Sequence, residues 1–273
     1  MVHSTIYKGK FSDIEYILAG SGEEVIVFIH GAGANLHQFD KQIEDFSKDF
    51  QVISFSMTGH GKSKPNGILK QEDLSFENIA SALIELLDAL NIETFHIVGN
   101  SAGGTVGLQV LRAFPNRLKT VTIFGSAPKM NLPPSVVKII HFIDKTMLKI
   151  APIFYVHILI NHASKNEETR KKLKTIVMQN DKNTIVEFRK NLGKYDYIKD
   201  IQDCALPLLI IKPQGDKEIN RSLVKLEKQF KENPNIHIIE LEDAGHIANV
   251  DNPKEFNTIV RSFINHHNTG STQ

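Results

Sequence analysis

The chain has 273 residues, 41% of them apolar and 23% charged, with 32 Lys and Arg against 31 Asp and Glu for a formal charge of +1. These proportions exclude wholesale disorder, and near-neutrality argues against a dedicated nucleic-acid binder, which is normally basic. The single cysteine, Cys204, excludes an internal disulfide framework and a cysteine-rich zinc site.

The start, Met1-Val2-His3-Ser4-Thr5, lacks the basic-then-apolar pattern of a secretory signal. The longest uncharged apolar stretch in the middle of the chain, 150–160, is shorter than the roughly 20 residues that cross a bilayer. The expectation is a cytoplasmic protein without an integral membrane segment. In chain order, a short strand near 6–8 precedes 13–18, where Ile14, Tyr16 and Leu18 alternate as in a half-buried strand. The runs 25–30, 52–55, 95–98, 120–124 and 208–212 are short and β-branched or apolar, as strands buried on both faces of a parallel sheet are. The segment 236–241 adds an eighth strand.

Helices fill the gaps. Ile79, Leu83, Leu86, Leu87 and Leu90 recur at helical spacing, and 102–114 is a second helix stopped by Pro115. A third covers 221–230, and Asn252-Pro253, a capping residue before a proline, opens a last one running to about Ile264. This alternation predicts an α/β fold with a doubly wound, mostly parallel sheet.

The middle of the chain differs. No glycine occurs between Gly125 and Gly193, and residues 129–200 carry 14 Lys and Arg against 7 Asp and Glu, leaving 18 against 24 elsewhere. Pro133-Pro134 begins one helix there and Pro152 separates it from the next. The expected organisation is a core of 1–127 and 199–266, a helical lid of 128–198, and a disordered tail of 267–273.

The strongest chemical signal is Gly99-Asn100-Ser101-Ala102-Gly103-Gly104, which fits G-x-S-x-G between a strand and a helix. Such a turn is sharp, needs glycines where a Cβ would collide, and pushes Ser101 Oγ out at the C-terminal edge of the sheet. Acyl transfer also needs two N–H donors for the developing oxyanion. Ala102, after the nucleophile, supplies one; the small-residue loop His30-Gly31-Ala32-Gly33 supplies the other, from Ala32 first and Gly33 second.

A serine needs a base and the base an orienting acid. Of twelve histidines, most fall within strands, lid, tails or turns; His246, in Asp243-Ala244-Gly245-His246 after the last strand, is left for the base. The same loop position one unit earlier offers Asp216, in Pro213-Gln214-Gly215-Asp216. Ser101, Asp216 and His246 thus all lie beyond the C-terminal ends of strands, where open α/β sheets bind ligands.

With these motifs, Gly59-His60-Gly61-Lys62-Ser63, and Ala-Gly-His before the last helix, the chain resembles the α/β-hydrolase superfamily, in its serine-nucleophile esterase, lactonase and C–C hydrolase-like branch. The resemblance covers nearly all of the chain outside the lid. It implies eight mostly parallel strands with a helical lid inserted after the sixth. Two positions depart from the pattern: Ser56 stands where many relatives place an Asp, and Pro213 stands where a glycine commonly precedes the acid by three residues. Asp243 is therefore the fallback acid, with Asp144 behind it.

The expected activity is hydrolysis of a carboxylic ester or lactone of a small, moderately apolar molecule through an acyl-enzyme, with no metal or organic cofactor. Asn100 before the nucleophile resembles C–C hydrolases of ring-cleavage diketones, which are the alternative, although Gly33 runs directly into Ala34-Asn35-Leu36 without their longer glycine- and proline-rich motif. A serine at 101 disfavours aspartate-nucleophile dehalogenases and epoxide hydrolases. A receptor retaining the triad is the alternative of another class, and the basic lid leaves a lipid-surface enzyme open. Gly33, Asn100, Phe142, Met147, Phe154 and Tyr155 are the expected substrate contacts, the last four from the roof of the cleft.

Overall fold

The architecture comes from a computed structural model, which describes residues 3–230 and 232–268. Eight strands form the main sheet: β1 (Thr5–Lys8), β2 (Ser12–Ala19), β3 (Val25–Ile29), β4 (Gln51–Phe55), β5 (Phe95–Asn100), β6 (Leu118–Phe124), β7 (Leu208–Pro213) and β8 (Ile236–Leu241). Their order is β1-β2-β4-β3-β5-β6-β7-β8. β2 pairs antiparallel with β1 and β4, and every other neighbour pair on this path is parallel. A ninth strand of two residues, Lys64–Pro65, joins β2; it is too short to leave a periodic signal.

The central strands are mostly apolar because both faces are covered. Val27, Ile29, Ile97, Val121, Ile123 and Ile210 pack toward one helical layer: α2 (Phe76–Ala89), α3 (Ala102–Ala113), α8 (Ile198–Gln202) and α9 (Lys217–Phe230). Their alternates Ile26, Phe28, Val98, Phe124, Leu209 and Ile211 face the other, made of α1 (Asp40–Phe46), α10 (Ala248–Asp251) and α11 (Pro253–Asn268). Each such side chain contributes roughly 1.5–3 kcal/mol by leaving water. α11 continues through His267 and Asn268 because the His267 ring packs 4.8 Å from Phe263 and 5.4 Å from His237. These two residues of the expected tail are therefore helical, and 269–273 lie outside the described residues.

Four helices leave the sheet after β6: α4 (Pro134–Ile150), α5 (Pro152–Ala163), α6 (Glu167–Met178) and α7 (Lys182–Arg189). They lie between Lys129–Asn131 and Lys194–Asp196, which pair antiparallel as a separate ribbon and so close the base of the insertion. Prolines at the first turns of α4 and α5 start those helices where a missing N–H is harmless. Among the described residues no helix is long and apolar enough to cross a membrane.

Candidate active site

Register places the loops that carry the candidate residues together. Ile29 at the end of β3 pairs with Gly99, and Asn100 pairs with Phe124, so the loops after β3, β5 and β6 leave the sheet side by side. Ser101 follows β5 with φ +51 and ψ −117, a conformation that L-residues rarely adopt. It is held there by its N–H donating to Phe124 O at 2.9 Å and by Ser126 Oγ donating to its carbonyl at 2.8 Å. The flanking glycines are required by contact. A Cβ on Gly99 would sit 2.4 Å from Gly103 O, and one on Gly103 would sit 2.2 Å from Ile29 O. Ala102 is the first residue of α3, where a backbone N–H has no acceptor inside the helix.

The loop after β3 is organised by two buried imidazoles. His30 Nδ1 donates to Gly31 O at 2.8 Å, and its Nε2 accepts from Met57 N–H at 2.9 Å. His60 Nε2 accepts from Gly33 N–H at 3.2 Å. Burial pushes the His30 pKa well below its ordinary value and that of His60 down to about 4, so both rings act as neutral struts. Because Gly33 N–H is spent on His60, Ala32 is the amide of this loop left to face a ligand.

Sequence reasoning missed the residue that locks this loop. Asn180, buried at the α6–α7 turn, donates through Nδ2 to Gly33 O at 2.7 Å and Ala34 O at 2.9 Å, and its Oδ1 accepts from Gly61 N–H at 2.6 Å. One amide side chain thus joins three segments distant in sequence. Ile185 stands over Gly33, and Phe188 packs edge-on to His60 at 5.1 Å.

His246 Nδ1 lies 2.6 Å from Asp216 Oδ2, and the carboxylate is buried. The two loops are tied by backbone: Gly215 N–H donates to Ala244 O at 2.8 Å and Gln214 N–H to Leu241 O at 2.9 Å. Pro213 O accepts from Asp216 N–H at 3.0 Å, so the proline-bearing turn still delivers the acid. Asp243 is exposed at φ +51 and points no carboxylate at His246, while Asp144 is buried inside the lid. Asp251 braces the loop instead: its Oδ2 accepts from Gly245 N–H at 2.7 Å and its Oδ1 from Ser164 Oγ at 2.5 Å.

Asn100 has a different place from the one expected. It is fully buried, donating to His246 O at 2.9 Å and accepting from Gln38 Nε2 at 3.0 Å. Gln38 also receives Gly31 N–H at 3.0 Å and reaches Asn249 Oδ1 at 3.2 Å. With its amide groups engaged and buried, Asn100 ties the elbow to the His246 loop directly and to the Gly31 loop through Gln38, away from the place expected for a substrate contact. Ser56, where the resemblance led us to expect an Asp, is itself bonded. Its Oγ donates to the buried Glu15 at 3.1 Å, and the same Glu15 oxygen accepts Lys62 N–H at 2.9 Å.

Three of the four expected roof residues lie elsewhere. Phe142 and Phe154 are 70% and 59% exposed, because their helix faces point outward. Tyr155 is buried within the lid, its hydroxyl 2.5 Å from Asp144 Oδ1, and Arg189 Nε lies 2.7 Å from the other carboxylate oxygen. Met147 is half-buried on α4. The side chains of the inserted helices that do stand over the Gly33 loop are those of the α6–α7 turn and α7. Their hydrophobic spacing is ordinary, and only the placement of α7 on the loop reveals them. Among the described residues no group of three or more His, Cys, Asp or Glu could hold a metal ion.

A family model described as alpha/beta hydrolase fold matches residues 24–155. Over 267 residues the chain is 24% identical to the 2-hydroxy-6-oxononadienedioate/2-hydroxy-6-oxononatrienedioate hydrolase of Paraburkholderia xenovorans, covering 93% of this chain and 91% of that protein. A segment of 128 residues is 28% identical to the dihydrolipoyllysine-residue acetyltransferase component of the acetoin cleaving system of Cupriavidus necator, but it spans only 33% of that protein. Among solved structures, the esterase of Thermogutta terrifontis superposes with a TM-score of 0.84 at 15% identity, covering 97% of this chain and 99% of that one. The enol-lactonase of Burkholderia xenovorans superposes with 0.82 at 17% identity, covering 96% and 100%. The chain is thus similar to α/β hydrolases over these residues and has the α/β-hydrolase fold.

Proposed function

We propose that the protein is a serine hydrolase that cleaves a carboxylic ester or lactone of a small, moderately apolar molecule. The observation that carries this reading is the His246–Asp216 contact of 2.6 Å beside an elbow that holds Ser101 at φ +51. With Nδ1–H donated to Asp216, Nε2 of His246 is the free base. It takes the Ser101 proton as Oγ attacks the carbonyl carbon, and Asp216 stabilises the imidazolium that results. The N–H groups of Ala32 and Ala102 receive the oxyanion; collapse expels the alcohol, which takes the proton from His246. Water, deprotonated by His246, then attacks the acyl carbon and releases the acid, restoring Ser101. The chain's own residues supply every group these steps need. Residues 128–198 act as the lid, with α7 closing over the oxyanion loop.

C–C bond hydrolysis of a ring-cleavage diketone is the second reading. It is favoured by the full-length similarity to the Paraburkholderia xenovorans enzyme, whereas an esterase and an enol-lactonase share the fold more closely than the sequence. A panel of p-nitrophenyl esters, lactones and ring-cleavage diketones, run beside Ser101→Ala, tests both. A fluorophosphonate probe is expected to label the native chain once and the variant not at all. Labelling that survives the substitution, or the absence of turnover on every member of the panel, overturns the assignment.

A further inference from the structure

The lid leaves a large apolar surface uncovered. On α4, Ile139, Ile143 and Ile150 follow one another at helical spacing and are 58%, 50% and 75% exposed, with Phe142 beside them at 70%. The chain breaks at Ala151 and α5 continues the surface with Ile153 at 67% and Phe154 at 59%. Scattered exposed apolar residues need no explanation, but a continuous patch on two consecutive helices marks a contact. A groove of about 1030 Å³ between α5 and α6 adjoins it, sharing Ile153 and Phe154 with the patch and lined also by Val156 and Ile160; none of Ser101, Asp216 and His246 lines it. The patch is therefore separate from the proposed catalytic centre.

The charge around the patch selects what covers it. Residues 134–178 carry 8 Lys and Arg against 3 Asp and Glu. Of the three acids, Asp144 is buried and Glu167 pairs with Lys171 at 2.8 Å. Lys138, Lys145 and Lys149 flank the isoleucine stripe at helical spacing and make no ion pair among the described residues, and Arg170 and Lys174 line the groove wall. A second copy docked face to face would set two such cationic arrays against each other. An anionic surface with an apolar interior answers both features, since apolar side chains enter the acyl boundary while lysines meet the headgroups.

We infer that the α4–α5 face of the lid docks on the surface of anionic phospholipid bilayers, without spanning them. The inference is independent of which bond the protein hydrolyses. The experiment is co-sedimentation of the full chain with vesicles of phosphatidylcholine alone and of phosphatidylcholine with phosphatidylglycerol. Binding is expected only to the anionic vesicles, and raising NaCl to about 0.5 M is expected to weaken it at least tenfold. Ile139→Asp and Ile150→Asp are each expected to weaken it tenfold or more, with unchanged fluorophosphonate labelling in buffer reporting an intact fold. A chain that stays in the supernatant with anionic vesicles, that binds neutral ones equally, or whose aspartate variants bind like the parent overturns the proposal. So does a dimer in gel filtration that Ile150→Asp converts to a monomer, because the face is then covered by a second copy.

Discussion

Phe28 and Phe142 are the same side chain with opposite fates. Phe28, on β3, is fully buried, stacked 4.9 Å from Phe39 and edge-on to Phe46 at 5.7 Å; Phe142, on α4, is 70% exposed. The polar groups divide in the same way. Under the cleft, Gln38, Asn100 and Asn249 exchange hydrogen bonds until their amides are engaged, which makes a buried polar network rigid. In the lid, Asp144 meets Arg189 and Tyr155, yet His141 Nδ1 is buried with no partner. We read the first region as one that holds geometry and the second as one that presents a surface, with Asn180 joining them, though buried polar atoms without a hydrogen-bond partner occur in both, Thr122 Oγ1 in the sheet among them.

The largest expected effect breaks the comparison at the rigid side. Asp216→Asn should lower kcat by about 10⁴-fold, the scale on which amidating an orienting acid acts by holding the wrong tautomer. Asp243→Asn should change kcat by less than about twofold, since its side chain is exposed. Steady-state kinetics on one activated ester decides this; a crippled Asp243→Asn with a mild Asp216→Asn reverses the assignment. On the same side, Phe28→Ala should destabilise by about 3–5 kcal/mol, the usual result of emptying an aromatic site in a packed core, read from the urea midpoint.

The joint comes next. Asn180→Ala removes two contacts to the loop carrying Ala32 and a third to Gly61, and should lower kcat about 10- to 100-fold with a smaller change in KM, while the chain stays folded. Asn180→Asp, which keeps the acceptor for Gly61 N–H but loses the donors to Gly33 and Ala34, should recover little. Equal losses in KM and none in kcat would mean that the contact serves the lid alone.

The buried imidazoles predict a pH effect with a definite sign. His60 and His96 both have folded pKa values of about 4, lowered chiefly by burial, against about 6.5 when unfolded. Between those values the unfolded chain binds more protons, so stability falls as pH drops below about 6.5 and goes on falling to about 4. From pH 7.5 to pH 5 each site should cost about 2 kcal/mol. His96→Gln, which removes one titrating group, should flatten the dependence of the urea midpoint on pH; an unchanged slope would show that the ring does not titrate with unfolding.

How much of this could be read beforehand follows from what each feature depends on. The strands β3, β5 and β7 are legible because burial on both faces leaves mostly apolar runs, and the elbow because the G-x-S-x-G pattern is local, although the contact that requires glycine at 103 comes from Ile29, far away in sequence. Asp216 and His246, picked by loop position and by elimination among the histidines, lie 2.6 Å apart. Asn100 was misassigned to substrate because its partners, Gln38 and His246, are 62 and 146 residues away. Asn180 escaped for the same reason, its carbonyl acceptors being 147 and 146 residues off. The lid misled more simply. Apolar helical spacing shows that a helix has a face, not which way the face turns, and Phe142 and Phe154 turn outward.

The smallest expected effect sharpens the comparison at the exposed side. Phe142→Ala and Phe154→Ala should each change folding stability by less than about 0.5 kcal/mol, because a ring already mostly in water loses little transfer energy when it is removed. The chain-length preference toward p-nitrophenyl esters should also stay the same, whereas Ile185→Ala, which opens the space over Gly33, should shift it toward bulkier acyl groups. Each buried methylene is worth roughly 0.8 kcal/mol, so a two-carbon shift corresponds to about tenfold in relative kcat/KM. A changed profile in Phe142→Ala with none in Ile185→Ala would mean that α4, not α7, forms the working roof in solution. The outward-facing surface would then belong to the cleft after all, and the contrast between the two phenylalanines would be one of lid position and not of function.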